Sequence, residues 1–110
     1  MGRFVRGDVV VVPFPFSNLS MAKRRPALVV ADLTGDDIIL CQITSQPISD
    51  RYAVPLTDTD FASGGLRRSS NIRPNRLFTA DDALVLYRTG TVTEGKLREV
   101  VNRIVQIITP

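Results

Sequence analysis

The chain has 110 residues, 44% of them hydrophobic, with 14 Lys and Arg against 11 Asp and Glu for a formal charge of +3, one cysteine and no histidine. These values exclude a disordered or collagenous chain and suit one domain, 1–110, whose core needs no disulfide or structural metal. A lone cysteine closes no intrachain bridge, and without histidine the ordinary zinc sites and the Ser-His and Cys-His nucleophile pairs are excluded as well.

Asp8 to Val12 is a β-branched run that suits a strand, with Pro13 and Pro15 ending it or confining it to an edge. Ser17 to Arg25 is polar and rich in small residues, and predicts a loop. Pro26 then opens a second strand, Ala27 to Ala31. Thr34-Gly35-Asp36-Asp37 is turn chemistry, and Ile38 to Thr44 is a third strand that places Thr44 near its end. Tyr52 to Leu56 predicts a short strand weakened by Pro55, and Ser63-Gly64-Gly65-Leu66 a flexible turn. Ser70 to Arg73 and Arg76 to Thr79 are two short strands around Pro74, with another at Leu84 to Arg88. The period then changes: Leu97, Val100, Val101, Ile104 and Ile108 recur at helical spacing behind Thr93 as N-cap and Glu94 in the first turn. The stripe predicts a helix whose apolar face packs on the sheet. A small, curved antiparallel β-barrel capped by a helix is the economical architecture.

No apolar run is long enough to cross a bilayer and Met1-Gly2-Arg3 starts no signal-peptide core, so a cytoplasmic protein is expected. Only Lys23 and Lys96 among the basic residues are lysines, and arginine suits bidentate recognition of phosphate or carboxylate. Lys23-Arg24-Arg25 form one cluster, and Arg67, Arg68, Arg73 and Arg76 lie in an acid-free stretch; brought together they make an anion-binding face. Arg25 at a strand start and Thr44 at the neighbouring strand's end lie side by side under a phosphate if those strands pair. Intramolecular attack by a ribose 2′-hydroxyl needs no metal, only proton transfer and charge stabilisation. Read singly, each is an ordinary surface arginine or a backbone-satisfying threonine. Cys41 reads as a buried, inert thiol. Asp36-Asp37 and Asp81-Asp82 read as turn residues, whereas Asp58 and Asp60 are a weak candidate base or metal ligand. Gly64-Gly65 lacks the lysine and helix of a P-loop, which argues against a nucleotide cofactor.

Arg6-Gly7-Asp8-Val9, Arg25-Pro26-Ala27-Leu28-Val29-Val30 and Ile43-Thr44-Ser45-Gln46, in that order, followed by Arg73-Pro74-Asn75-Arg76-Leu77 and a terminal helix, resemble the PemK/MazF toxins of bacterial type II toxin-antitoxin systems. The resemblance spans essentially the whole chain. It implies a mainly β fold, an SH3-like, CcdB-like antiparallel barrel with a C-terminal helix, forming a homodimer whose grooves bind single-stranded RNA. It implies an mRNA interferase, an endoribonuclease that cuts at short motifs without metal or other cofactor, leaving a 2′,3′-cyclic phosphate and a 5′-hydroxyl. Arg25 and Thr44 match the catalytic arginine and threonine; Lys23, Arg24, Ser45, Gln46, Arg67, Arg68, Arg73 and Arg76 are the expected RNA contacts, with Arg6 and Asp8 structural or groove residues. A cognate antitoxin is the expected protein partner, its acidic tail folding onto Arg25 and the Arg67 to Arg76 stretch. Where many relatives carry Glu or Gln with glycines before the arginine, this chain has Leu19-Ser20-Met21-Ala22-Lys23, which leaves Ser17, Ser20 and Lys23 as candidates for the general base.

Two other functions remain open at this level. A CcdB-like poison of DNA gyrase uses a helix ending in aromatic and small residues, whereas this chain ends Ile107-Ile108-Thr109-Pro110. A non-catalytic RNA-binding barrel needs exposed aromatics to stack bases; Phe14 and Phe16 form a possible pair, with core positions the simpler reading.

Overall fold

A computed structural model describes residues 3–14 and 23–110. Seven strands and one helix follow in chain order: β1 (Asp8–Phe14), β2 (Lys23–Asp32), β3 (Asp37–Thr44), β4 (Val54–Leu56), β5 (Phe61–Gly64), β6 (Ser70–Asp81), β7 (Tyr87–Val92) and α1 (Glu94–Ile108). All pair antiparallel in one sheet, ordered β4-β6-β3-β2-β1-β7-β5. The sheet is a half-barrel rather than a closed one, because the order runs from β4 at one edge to β5 at the other.

The unbroken valine run of β1 suits a strand covered on both faces, since alternation appears only where one face meets water. Val9 packs with Leu28, Cys41, Ile43, Ile72 and Val100 on one side. Val10, Val12 and Phe14 pack with Ala27, Val29 and Leu40 on the other. Pro13 fits because β7 covers β1 only over Asp8 to Val11, so beyond that point β1 is an edge paired with β2 alone.

Four expectations change. Lys23 to Arg25 belong to β2, not to a loop, pairing with Phe14, Pro13 and Val12. The glycine turn is partly strand: Phe61–Gly64 form β5 on β7. There Gly64 has φ +66°, and a Cβ on it would stand 2.2 Å from the Thr89 carbonyl oxygen, so backbone proximity keeps side chains out. The two short strands around Pro74 are one strand, β6, with a large bulge: Ile72 opposes Ile43 and Leu77 opposes Cys41, so Arg73-Pro74-Asn75-Arg76 all face the single residue Gln42. Pro74 needs no ladder partner inside the bulge. Leu84 ends a 3-10 turn over Asp82–Leu84, and β7 starts only at Tyr87.

Thr93 caps α1 as the sequence predicts, its Oγ1 accepting the Lys96 N–H at 3.2 Å. Val100 is fully buried, and Leu97 and Ile104 pack against the same core. The stripe is not covered to its end, since Ile108 stays 67% exposed. Among the described residues no helix is long and apolar enough to cross a membrane.

Candidate functional site

Antiparallel pairing brings the end of β1, the start of β2, the end of β3 and the start of β6 to one end of the sheet. That end gathers Lys23, Arg24 and Arg25 with Thr44, Ser45 and Gln46, and Arg67 and Arg68 lead into it ahead of β6. The β2–β3 ladder sets Ala27 opposite Gln42. That pair is the last of the ladder, and Arg25 stands two residues beyond it on β2 while Thr44 stands two residues beyond it on β3. By alternation both project on the face that carries Val12, Ala27 and Leu40.

Thr44 is 6% exposed, and its Oγ1 accepts the Gln46 N–H at 3.1 Å. That bond occupies an oxygen lone pair and leaves the hydroxyl hydrogen free to be donated. Arg25 is half-buried, and its Nε is shielded from solvent yet donates to no acceptor among the described residues. A buried donor without an acceptor costs roughly 1–3 kcal/mol, and Arg73 Nε is shielded and without an acceptor in the same way, so the feature does not by itself mark a phosphate site. Lys23, Arg24, Arg67, Arg68 and Arg76 are exposed and form no ion pair with a described acid. Their charge is therefore not neutralised within the described fold.

Arg73 behaves differently from the other predicted contacts. Its guanidinium turns onto Asp50 at 3.4 Å, with 19% of the side chain exposed. The Tyr52 N–H, aided by Asn75 and Arg73, holds the Asp50 carboxyl below the usual carboxylate range. The Arg73 carbonyl accepts the Cys41 thiol at 2.9 Å. Arg73 thus fastens the bulge, and Arg76 is the arginine the bulge presents to solvent. Cys41 is the inert thiol expected: burial pushes it up to about 12.

Asp8 is structural. It is 2% exposed, accepts from the Val5 N–H at 3.0 Å and the Thr91 hydroxyl at 3.1 Å, and pairs with Arg88 at 3.5 Å. Arg6 instead lines a groove with Leu97, Arg98 and Val101 of α1. Asp60 is engaged by the Thr57 N–H at 2.8 Å and by Lys96 at 3.6 Å, which leaves no open acidic pair with Asp58. Among the described residues no group of three or more His, Cys, Asp or Glu is placed to hold a metal. Ser17, Ser20 and Phe16 lie outside the described residues. Phe14 is a core residue, edge to face with Phe78 at 4.9 Å.

Sequence reasoning missed two residues. Gln42 lines a cleft of about 310 Å³ with Pro13, Phe14, Arg76, Leu77 and Phe78. Its signal was available, as the polar residue interrupting the buried run Ile38 to Ile43. Asp50 gave none, because its partner lies 23 positions away.

A family model described as PemK-like, MazF-like toxin of type II toxin-antitoxin system matches residues 5–108. No curated protein matches the chain. Among solved structures, an endoribonuclease in complex with its cognate antitoxin from a mycobacterial species superposes with a TM-score of 0.76 at 13% identity, covering 97% of each chain. The MazE–MazF complex of Deinococcus radiodurans gives 0.76 at 18% identity, covering 96% of this chain and 95% of that one. The Mycobacterium tuberculosis toxin MazF-mt6 gives 0.71 at 15% identity, covering 92% and 95%.

Proposed function

This chain belongs to the PemK-like, MazF-like toxin family of type II toxin-antitoxin systems, and from that premise we propose that it is a sequence-specific endoribonuclease acting on single-stranded RNA. The observation that carries the reading is that Arg25 and Thr44 each stand two residues beyond the Ala27–Gln42 pair, at a sheet end whose exposed cations have no acidic partner among the described residues. Three of the solved structures it resembles are MazF toxins or endoribonucleases by name.

The chemistry follows from these groups. The ribose 2′-hydroxyl gives its proton to water as its oxygen bonds the adjacent phosphorus, the bond from phosphorus to the 5′-oxygen breaks and that oxygen takes a proton from water, and the products are a 2′,3′-cyclic phosphate and a 5′-hydroxyl. Charge builds on the phosphoryl oxygens as attack proceeds. The Arg25 guanidinium stabilises it, and the Thr44 hydroxyl, its lone pair occupied by Gln46, donates to a phosphate oxygen. A guanidinium with a pKa above about 12 serves better as an electrostatic stabiliser than as a proton donor. No step requires a metal. Lys23, Arg24, Arg67, Arg68 and Arg76 hold flanking phosphates, with Ser45 and Gln46 beside Thr44. The protein acts as a homodimer, in the cytoplasm, and an antitoxin silences it by laying an acidic segment over these cations.

The test is incubation of wild type, Arg25→Ala and Thr44→Ala with a long single-stranded RNA in excess EDTA, mapping the new 5′ ends. Wild type should cut at a recurring short motif and leave 5′-hydroxyl ends. Loss of one charge-stabilising donor lowers kcat by about 10²–10³-fold, so Arg25→Ala should fall at least that far, with RNA binding weakened only modestly. Cleavage undiminished in Arg25→Ala would overturn the reading.

A further inference from the structure

The chemistry at Arg25 and Thr44 makes no use of the cleft beside them. It is apolar in its walls, where Phe14 and Phe78 meet at right angles, and Leu77 and Leu84 at its rim are 41% and 43% exposed. Into it faces Gln42, whose amide hydrogen-bonds to no described residue, and Arg76 stands at its edge without an acidic partner among the described residues. Gln42 and Thr44 alternate on one face of β3, about 7 Å apart along the strand.

We propose that this cleft receives an unpaired nucleobase next to the cut phosphodiester and that Gln42 reads its edge. The inference rests on the ribonuclease reading above. Unpaired RNA bases are recognised by aromatic and apolar walls together with hydrogen bonds to their edges. The glutamine amide offers a donor beside an acceptor, which matches a base presenting the same pair in reverse. At about 310 Å³ the cleft lies at the small end of ligand pockets, a size suited to one base. Arg76 takes the phosphate attached to that nucleotide. A second copy of the chain fits this cleft less well: apolar side chains would cover the walls but strip water from the Gln42 amide and the Arg76 charge without replacing it.

The experiment compares wild type, Gln42→Ala and Gln42→Glu in two assays. One measures kcat/KM on RNA oligonucleotides varied one base at a time around the mapped site. The other measures affinity for the same set carrying 2′-O-methyl riboses, which cannot be cut. In Gln42→Ala the preference at one position should fall about tenfold or more while preferences elsewhere in the motif hold. Gln42→Glu, which exchanges the amide donor for a carboxylate, should shift the preferred base at that position. Unchanged preferences in both assays would overturn the proposal. So would equal loss on every sequence, or a change confined to the monomer–dimer equilibrium, which would make the cleft a contact between copies. If wild type binds the uncleavable set with a motif but cuts nothing, the ribonuclease reading fails while the Gln42 assay still decides the cleft.

Discussion

At the scale of single residues, two side chains set testable behaviour. Burial pushes the Cys41 thiol up to about 12 from an ordinary value of 9.0. Its protonated form therefore contributes stability that is complete below pH 9 and is lost as pH rises toward 12. Iodoacetamide at pH 8 should leave Cys41 unmodified in the native protein and label it after denaturation; rapid native labelling would show that the thiol is accessible. Asp50 has the opposite sign. Its lowered value means a contribution present above the ordinary carboxylate range, near pH 4, and lost as pH falls through its folded value. Thermal unfolding of Asp50→Asn should thus lose less stability between pH 6 and pH 3 than wild type does, and parallel curves would sink that account. The placement of Arg25 near the start of β2 and of Thr44 at the end of β3 was legible in the sequence, because each borders a recognisable apolar run. The inward turn of Arg73 was not, since its partner Asp50 lies in a distant loop.

At the scale of elements, close backbone approach and bulging decide what periodicity cannot show. The strand β5 is short, glycine-bearing and mostly exposed, so it carries no alternation to read. What marks it is contact: a Cβ on Gly90 would lie 2.6 Å from the Ser63 carbonyl oxygen across the β5–β7 pair. Gly90→Ala should therefore cost about 1–3 kcal/mol in denaturant unfolding, the range for overpacking; a neutral result would mean the two strands separate freely. The β6 bulge likewise disguises one strand as two, because Pro74 reads as a break while the chain pairs on both sides of it. The terminal helix was the clearest element in the sequence, with cap, first-turn acid and stripe in agreement. Its buried anchor is Val100, and truncation to alanine should cost about 1–3 kcal/mol through lost burial and the cavity left behind.

At the scale of the whole molecule, topology turns three separate stretches of sequence into one surface. The ends of β1 and β3 and the starts of β2 and β6 meet at one end of the sheet. The basic clusters at Lys23 to Arg25 and Arg67-Arg68 are thereby joined to Thr44, which sequence alone could only make conditional on strand pairing. If those cations hold phosphates, the double variant Arg67→Ala, Arg68→Ala should make the slope of log K against log salt for single-stranded RNA shallower by about 1.4. An unchanged slope would remove both from the contact surface. In the proposed mechanism the substrate's own 2′-hydroxyl is the nucleophile, assisted at Arg25 and Thr44. The most direct measurement is cleavage of an RNA oligonucleotide carrying a single 2′-deoxyribose immediately 5′ of the mapped cut. Binding should stay close to that of the all-ribose strand, with no cleavage at that bond; cleavage of the deoxy bond at the ordinary rate would rule the 2′-hydroxyl out as nucleophile.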